Sequence, residues 1–263
     1  MENIRSNTLH TYSLNKSSST PIVFIHGFTG NCLTWLSVQE KLKNYTISID
    51  LPGHGKSKIC LLDEFPNLLY QSLLALDVDR IHLCGYSMGG RLAILFSSIY
   101  PDMIESLILE SSSIGIKCER NRKERAIRDK RISKEIKGSF DSFISRWESI
   151  DMFKLQKERN FSEWKIQRHA RLSHDIENLS KSLNIFGVGN IHYLDKEFEK
   201  INSPITIITG SEDSKYADIA IDMAELNSNA RHVIINNSSH NTHLENTPIF
   251  ISEVENHLAR IAR

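Results

Sequence analysis

"CGYSMGGRLA", residues 84–93, sets a lone serine among three glycines, between the apolar run "RIHLC" and a segment of helical character. Glycine inside an element costs roughly 0.5–1 kcal/mol relative to alanine, so Gly85, Gly89 and Gly90 imply a backbone constraint, not a gain in stability. Read as G-x-S-x-G between a strand and a helix, Gly85, Ser87 and Gly89 form the sharp turn known as a nucleophile elbow. Such a turn holds its serine on strained backbone, and bulky side chains two residues to either side would collide with the crossing chain. The helix that follows aims free amides and a partial positive charge at any anion forming beside Ser87.

Outward from this turn, short runs rich in β-branched residues recur at "PIVFIHG", "YTISIDL", "RIHLCGY", "SLILESS", "PITIITG" and "RHVIINN". Several are apolar at consecutive positions, as strands are when helices cover both faces of a parallel sheet. Helical segments are predicted at about 62–76, 88–99, 216–226 and 246–261, so strand and helix alternate and the fold class is α/β, with a mostly parallel sheet. The opening "TLHTYSL" is placed as an antiparallel strand or two at one edge. From about 117 to 200 the alternation stops, and charged, helical sequence reads as an insertion after "SLILESS" that covers a site. With 263 residues, 40% apolar and 24% charged, the chain is expected to form a single domain over 1–263.

The 32 basic and 32 acidic residues cancel, which leaves no global electrostatic case for a nucleic-acid or anionic-membrane partner. Cys32, Cys60, Cys84 and Cys118 form no CxxC pair, so zinc and a secreted disulfide framework are both disfavoured. The opening "MENIRSNTLHTYSLNKSSST" lacks a signal-peptide core, and no stretch approaches the roughly 20 apolar residues of a transmembrane span. These features place the protein in the cytoplasm. They say nothing of its oligomeric state.

A serine nucleophile needs a base, and the base needs an orienting carboxylate, which after an elbow follow in the order Ser, Asp, His at later strand ends. "ITIITGSED" delivers Asp213, with Glu212 as its competitor; "VIINNSSH" delivers His240, with His243 as a rival base. The spacing "HNTH" could also suggest metal ligands, but no third ligand is in view and no metal is assigned. Two amides must face the developing oxyanion. Met88 supplies one from the helix start and Phe28 the other from the glycine-flanked loop "FIHGFTG", while His26 is given no chemical step.

Taken in order, "HGFTG", "DLPGHGKS", "GYSMGG", "GSEDSKY" and "SHNTHLEN" resemble the α/β-hydrolase superfamily across most of the chain. Within it, "GYSMGGRLA", "HGFTGNCLTW", "GSEDSKY" and "HNTH" followed by "LEN" resemble the 2-succinyl-6-hydroxy-2,4-cyclohexadiene-1-carboxylate synthase family of menaquinone biosynthesis. The resemblance implies an α/β-hydrolase fold with a helical lid insertion at about 117–200. It implies a lyase that eliminates pyruvate from 2-succinyl-5-enolpyruvyl-6-hydroxy-3-cyclohexene-1-carboxylate, with no cofactor. Such a polycarboxylate needs fixed cations. Arg91 lies one turn beyond Ser87, and residues 117–137 carry ten basic side chains against four acidic ones. By resemblance, Arg125 and Arg171 bind carboxylates while Tyr86 and Trp147 line the pocket. Ser239 stands where the family usually has glycine, Ile114 where it has proline, and "GVGNIHYL" matches only loosely. The alternative reading of the same residues is a serine hydrolase acting on esters or carbon–carbon bonds.

Overall fold

A computed structural model describes residues 8–262. Its sheet has seven strands: β1 (Thr11–Leu14), β2 (Ile22–Ile25), β3 (Thr46–Ile49), β4 (Ile81–Tyr86), β5 (Ile104–Glu110), β6 (Ile205–Gly210) and β7 (Ala230–Ile235). The spatial order is β1-β3-β2-β4-β5-β6-β7. Only β1 runs antiparallel, pairing Thr11 with Ile49, so the edge strand expected from "TLHTYSL" is present.

Strand periodicity explains the consecutive apolar runs. Val23, Ile25, Leu83, Leu107, Leu109 and Ile207 join the core on one face, whereas Ile22, Phe24, Cys84, Ile108 and Ile208 join that on the other. The first face is packed by α3 (Met88–Ile99), through Leu92, Ala93 and Phe96; the second by α12 (Thr247–Ile261), through Phe250 and Val254. The helix expected at 62–76 is shorter, Phe65–Leu74, and Pro66 sits in its first turn, where a missing N–H leaves no bond unmade.

Between β5 and β6 come six helices and, among the described residues, no strand: α4 (Glu119–Gly138), α5 (Phe140–Ser149), α6 (Gln156–Arg159), α7 (Phe161–Leu172), α8 (Ile176–Phe186) and α9 (Asp195–Glu199). Helices α4 and α8 meet through small polar side chains, with the Ser133 and Ser180 hydroxyls 2.6 Å apart and Asn184 donating to Ser133 at 2.8 Å. Gly189 explains part of the loosely matching "GVGNIHYL". A Cβ there would lie 2.3 Å from the Ala126 nitrogen, so glycine lets this segment press against α4. His174 ties the helical segment to the sheet's loops, donating from Nε2 to the Thr29 carbonyl at 2.9 Å and accepting the Gly55 N–H on Nδ1 at 3.1 Å.

Candidate active site

Ser87 is the residue on which β4 turns into α3, and its backbone takes the unusual φ of 51° and ψ of −108°. Three close approaches account for the glycines around it. A Cβ on Gly85 would lie 2.7 Å from the Gly89 oxygen, one on Gly89 would lie 2.4 Å from the Ile25 carbonyl oxygen, and one on Gly90 would meet Ser112 at 2.5 Å. The elbow is pinned from both sides, since the Ser87 N–H donates to the Glu110 carbonyl at 2.9 Å and the Ser112 hydroxyl donates to the Ser87 carbonyl at 2.9 Å.

Ser87 Oγ lies 3.1 Å from His240 Nε2, and His240 Nδ1 lies 2.6 Å from Asp213 Oδ2. Asp213 and His240 are both buried, in the loops that leave β6 and β7. The two rivals are held elsewhere. Glu212 pairs with Arg159, and the His243 Nδ1–H donates to Glu110 at 2.6 Å. Arg159 also pairs with buried Glu245, whose carboxylate accepts the Ser239 N–H at 2.8 Å and hydroxyl at 2.5 Å. Ser239 thus clamps the turn before His240.

Phe28 and Met88 line one cavity of about 190 Å³ with Ser87 and His240, so both proposed oxyanion residues border the serine. Gly27 makes that possible, because a Cβ on it would sit 2.8 Å from the Tyr86 ring. His26 shapes the same loop: its Nε2 accepts the Leu51 N–H at 2.9 Å, its Nδ1–H donates to the Gly27 carbonyl at 2.7 Å, and burial pushes its pKa down to about 4. Asp50 fixes the next loop by accepting from the Cys32 and Lys56 amides at 2.7 and 2.8 Å. It clusters with His10 and Cys32, whose thiol is pushed up to about 12 by its burial and by the Asp50 carboxylate.

The cavity's polar lining is mainly cationic. Arg91 is buried, its Nε has no hydrogen-bond partner, and burial lowers its pKa only to about 10, so it remains charged at neutral pH. Arg125 lines the cavity and donates from Nε to Asp129 at 2.8 Å; Trp147 forms part of the wall. Arg128, Lys215 and Tyr216 are there too and were missed in the sequence. Signals for them existed, because Arg128 follows Arg125 by one helical turn and "SKY" directly follows Asp213. Tyr216 packs edge-on against His240 with ring centroids 4.5 Å apart.

The structure does not bring Arg171 or Tyr86 to this cavity. They line an adjoining recess of about 10 Å³, space for about one water, which shares Phe28, Trp147 and Phe153 with the larger cavity. There Arg171 forms a buried pair with Glu148 at 2.8 Å and also donates to Gln156 and Gln167 at 3.2 and 3.3 Å.

This sheet, elbow and serine–histidine–aspartate chain define a protein of the α/β-hydrolase fold, and a family profile described as alpha/beta hydrolase fold matches residues 20–132. A Bacillus subtilis (strain 168) protein, provisionally named 2-succinyl-6-hydroxy-2,4-cyclohexadiene-1-carboxylate synthase, is 31% identical over 93% of this chain and 92% of its own. A synthase of that name from Enterobacter sp. (strain 638) is 28% identical over 86% of each chain. The solved structure of MenH from S. aureus superposes with a TM-score of 0.90 at 31% identity, over 97% of this chain and 99% of that one. The chain belongs to the 2-succinyl-6-hydroxy-2,4-cyclohexadiene-1-carboxylate synthase family. An enol-lactonase from Burkholderia xenovorans LB400, at 19% identity and a TM-score of 0.80, shares the fold. Among the described residues, no helix is long and apolar enough to cross a membrane.

Proposed function

We propose that this enzyme eliminates pyruvate from 2-succinyl-5-enolpyruvyl-6-hydroxy-3-cyclohexene-1-carboxylate, giving 2-succinyl-6-hydroxy-2,4-cyclohexadiene-1-carboxylate in menaquinone biosynthesis. The observation that carries this reading is the hydrogen-bonded Ser87–His240–Asp213 chain opening on a cavity lined by Arg91, Arg125, Arg128 and Lys215. Asp129 lines the same cavity and pairs with Arg125, which leaves the positive charges in excess, as a substrate with several carboxylates requires.

His240, oriented by Asp213, accepts the Ser87 proton, and Ser87 Oγ removes the ring proton alpha to the succinyl carbonyl. The enolate oxygen faces the Phe28 and Met88 amides. As the carbonyl re-forms, electrons shift through the ring alkene, the carbon–oxygen bond to the enolpyruvyl group breaks, and pyruvate leaves after gaining a proton. Nothing is oxidised or reduced overall, so the chemistry calls for no redox cofactor.

Residues 117–200 act in this reading as a lid that supplies Arg125, Arg128 and Trp147 to the cavity. The free state of all four cysteines supports a place in the reducing cytoplasm. Pyruvate release from the synthetic intermediate, followed with a coupled dehydrogenase, is the direct test: turnover is expected, and its absence from folded enzyme would refute the assignment. The 3.1 Å contact between Ser87 and His240 also fits a serine hydrolase, for which a nitrophenyl ester would give an acyl-enzyme burst and the intermediate would give no pyruvate.

A further inference from the structure

We propose that Glu110 is a positioning residue that holds Ser87 and His240 in register, using Thr242 and His243 as its grip on the histidine loop. The proposal rests on the reading of Ser87 and His240 as the reacting pair. Glu110 is the last residue of β5 and is completely buried. Its carbonyl accepts the Ser87 N–H at 2.9 Å. Its carboxylate Oε1 accepts the Thr242 hydroxyl at 2.6 Å and the His243 N–H at 2.9 Å, while Oε2 accepts His243 Nδ1–H at 2.6 Å. One residue therefore grips the nucleophile by its backbone and, by its side chain, the chain two and three residues beyond the base.

The grip is rigid because the His243 ring is itself fixed. It stacks on Trp35 with centroids 4.1 Å apart, and Trp35 is wholly buried in the core on that face of the sheet. The second histidine of "HNTH" is thus not the base; it is the histidine of a second buried acid–histidine pair beside the first. Serine-to-histidine proton transfer depends steeply on separation, and a displacement of about 1 Å costs on the order of a hundredfold in rate. Asp213 orients the His240 ring, but its own anchor is the loop after β6. The contact that refers the histidine loop back to the strand beside the elbow is the one made by Glu110.

The test uses a fluorophosphonate, which needs only Ser87 and His240 and not the natural substrate: Ser87 Oγ bonds to phosphorus, fluoride leaves, and the serine proton passes to His240. Thr242→Val should slow inactivation about threefold, His243→Phe, which keeps the stacked ring, about tenfold, and Glu110→Gln fiftyfold or more. Thr242→Ser, which keeps the hydroxyl, should restore the rate. With the natural substrate, kcat per active site titrated by the fluorophosphonate should fall in parallel while KM stays within about twofold, and that normalisation removes the loss of folded enzyme that would otherwise produce the same split. The downfield proton resonance of the His240–Asp213 bond should broaden in the same order. Wild-type inactivation rates in folded Thr242→Val and His243→Phe would overturn the proposal even if Glu110→Gln fails to fold. Failure of the wild type to be labelled at Ser87 would instead overturn the serine reading, and this proposal with it.

Discussion

Arg91 is the residue whose environment most needs explaining. A guanidinium that is 5% exposed, with an Nε that bonds to nothing in the protein, bears a desolvation cost that no internal carboxylate offsets by direct contact. A ligand carboxylate would offset it. Arg91→Ala should therefore lower kcat/KM for the polycarboxylate by tens to thousands of times, about 2–5 kcal/mol, and leave a neutral nitrophenyl ester nearly unaffected. Equal small effects on both substrates would favour the general esterase. The acidic partner is decided by a similar comparison. Asp213→Asn keeps the shape but removes the carboxylate that fixes the His240 tautomer across the 2.6 Å contact and should cost on the order of a thousandfold or more, whereas Glu212→Gln loosens only a pair with Arg159 and should cost less than about tenfold. A reversal of that order in steady-state turnover would move the acid to Glu212.

At the scale of the element, the β4–α3 turn works because its glycines let three backbones converge. Gly89→Ala would put a methyl group 2.4 and 2.5 Å from the Ile25 and His26 carbonyl oxygens, which belong to the backbone at and just beyond the end of β2 and cannot swing aside as a side chain would. Overpacking of this kind costs about 1–3 kcal/mol or more, so thermal melting should fall by several degrees. Gly138→Ala, at the end of α4 with nothing within 4 Å, should leave melting unchanged or raise it slightly. Equal melting temperatures for the two variants would refute this account of the elbow. Such local features were legible in the sequence: the elbow glycines, the strands with both faces buried, and the Met88–Ile99 helix follow from backbone sterics and short-range periodicity. Asp213 and His240 were legible for the same reason, since they lie at strand ends. What could not be read depends on distant partners. Nothing near Arg171 announces Glu148, and nothing near Glu110 announces His243, because each pair is joined only once the helices or loops have packed. Arg128 and Lys215 hide among many other surface-like cations, and only the cavity distinguishes them.

For the molecule as a whole, the buried histidines make stability depend on pH in a definite direction. Burial depresses His26 from 6.5 to about 4 and His257 from 6.5 to about 3, and it also lowers His54 and His174. The geometry agrees with neutral rings. His26 Nε2 must stay unprotonated to accept the Leu51 N–H, and His174 Nδ1 must do so to accept that of Gly55. In the unfolded chain these imidazoles return to about 6.5, so as pH falls below that value the unfolded state binds protons that the folded state refuses. Their contribution is complete above about pH 7 and is lost progressively down to the folded values. Between pH 7.5 and 5.0, His26 and His257 should each remove about 2 kcal/mol of unfolding free energy, an order-of-magnitude figure. Urea denaturation at the two pH values should show the midpoint falling on the acid side. His257→Leu, which deletes one titrating ring from α12, should shrink the difference by about its share while leaving the cavity around Ser87 intact. An unchanged difference in that variant would show that His257 is not a buried neutral ring that stays unprotonated in the folded state, and a wild-type midpoint that is higher at pH 5.0 would show that the neutral-imidazole ties at Leu51 and Gly55 are wrongly assigned.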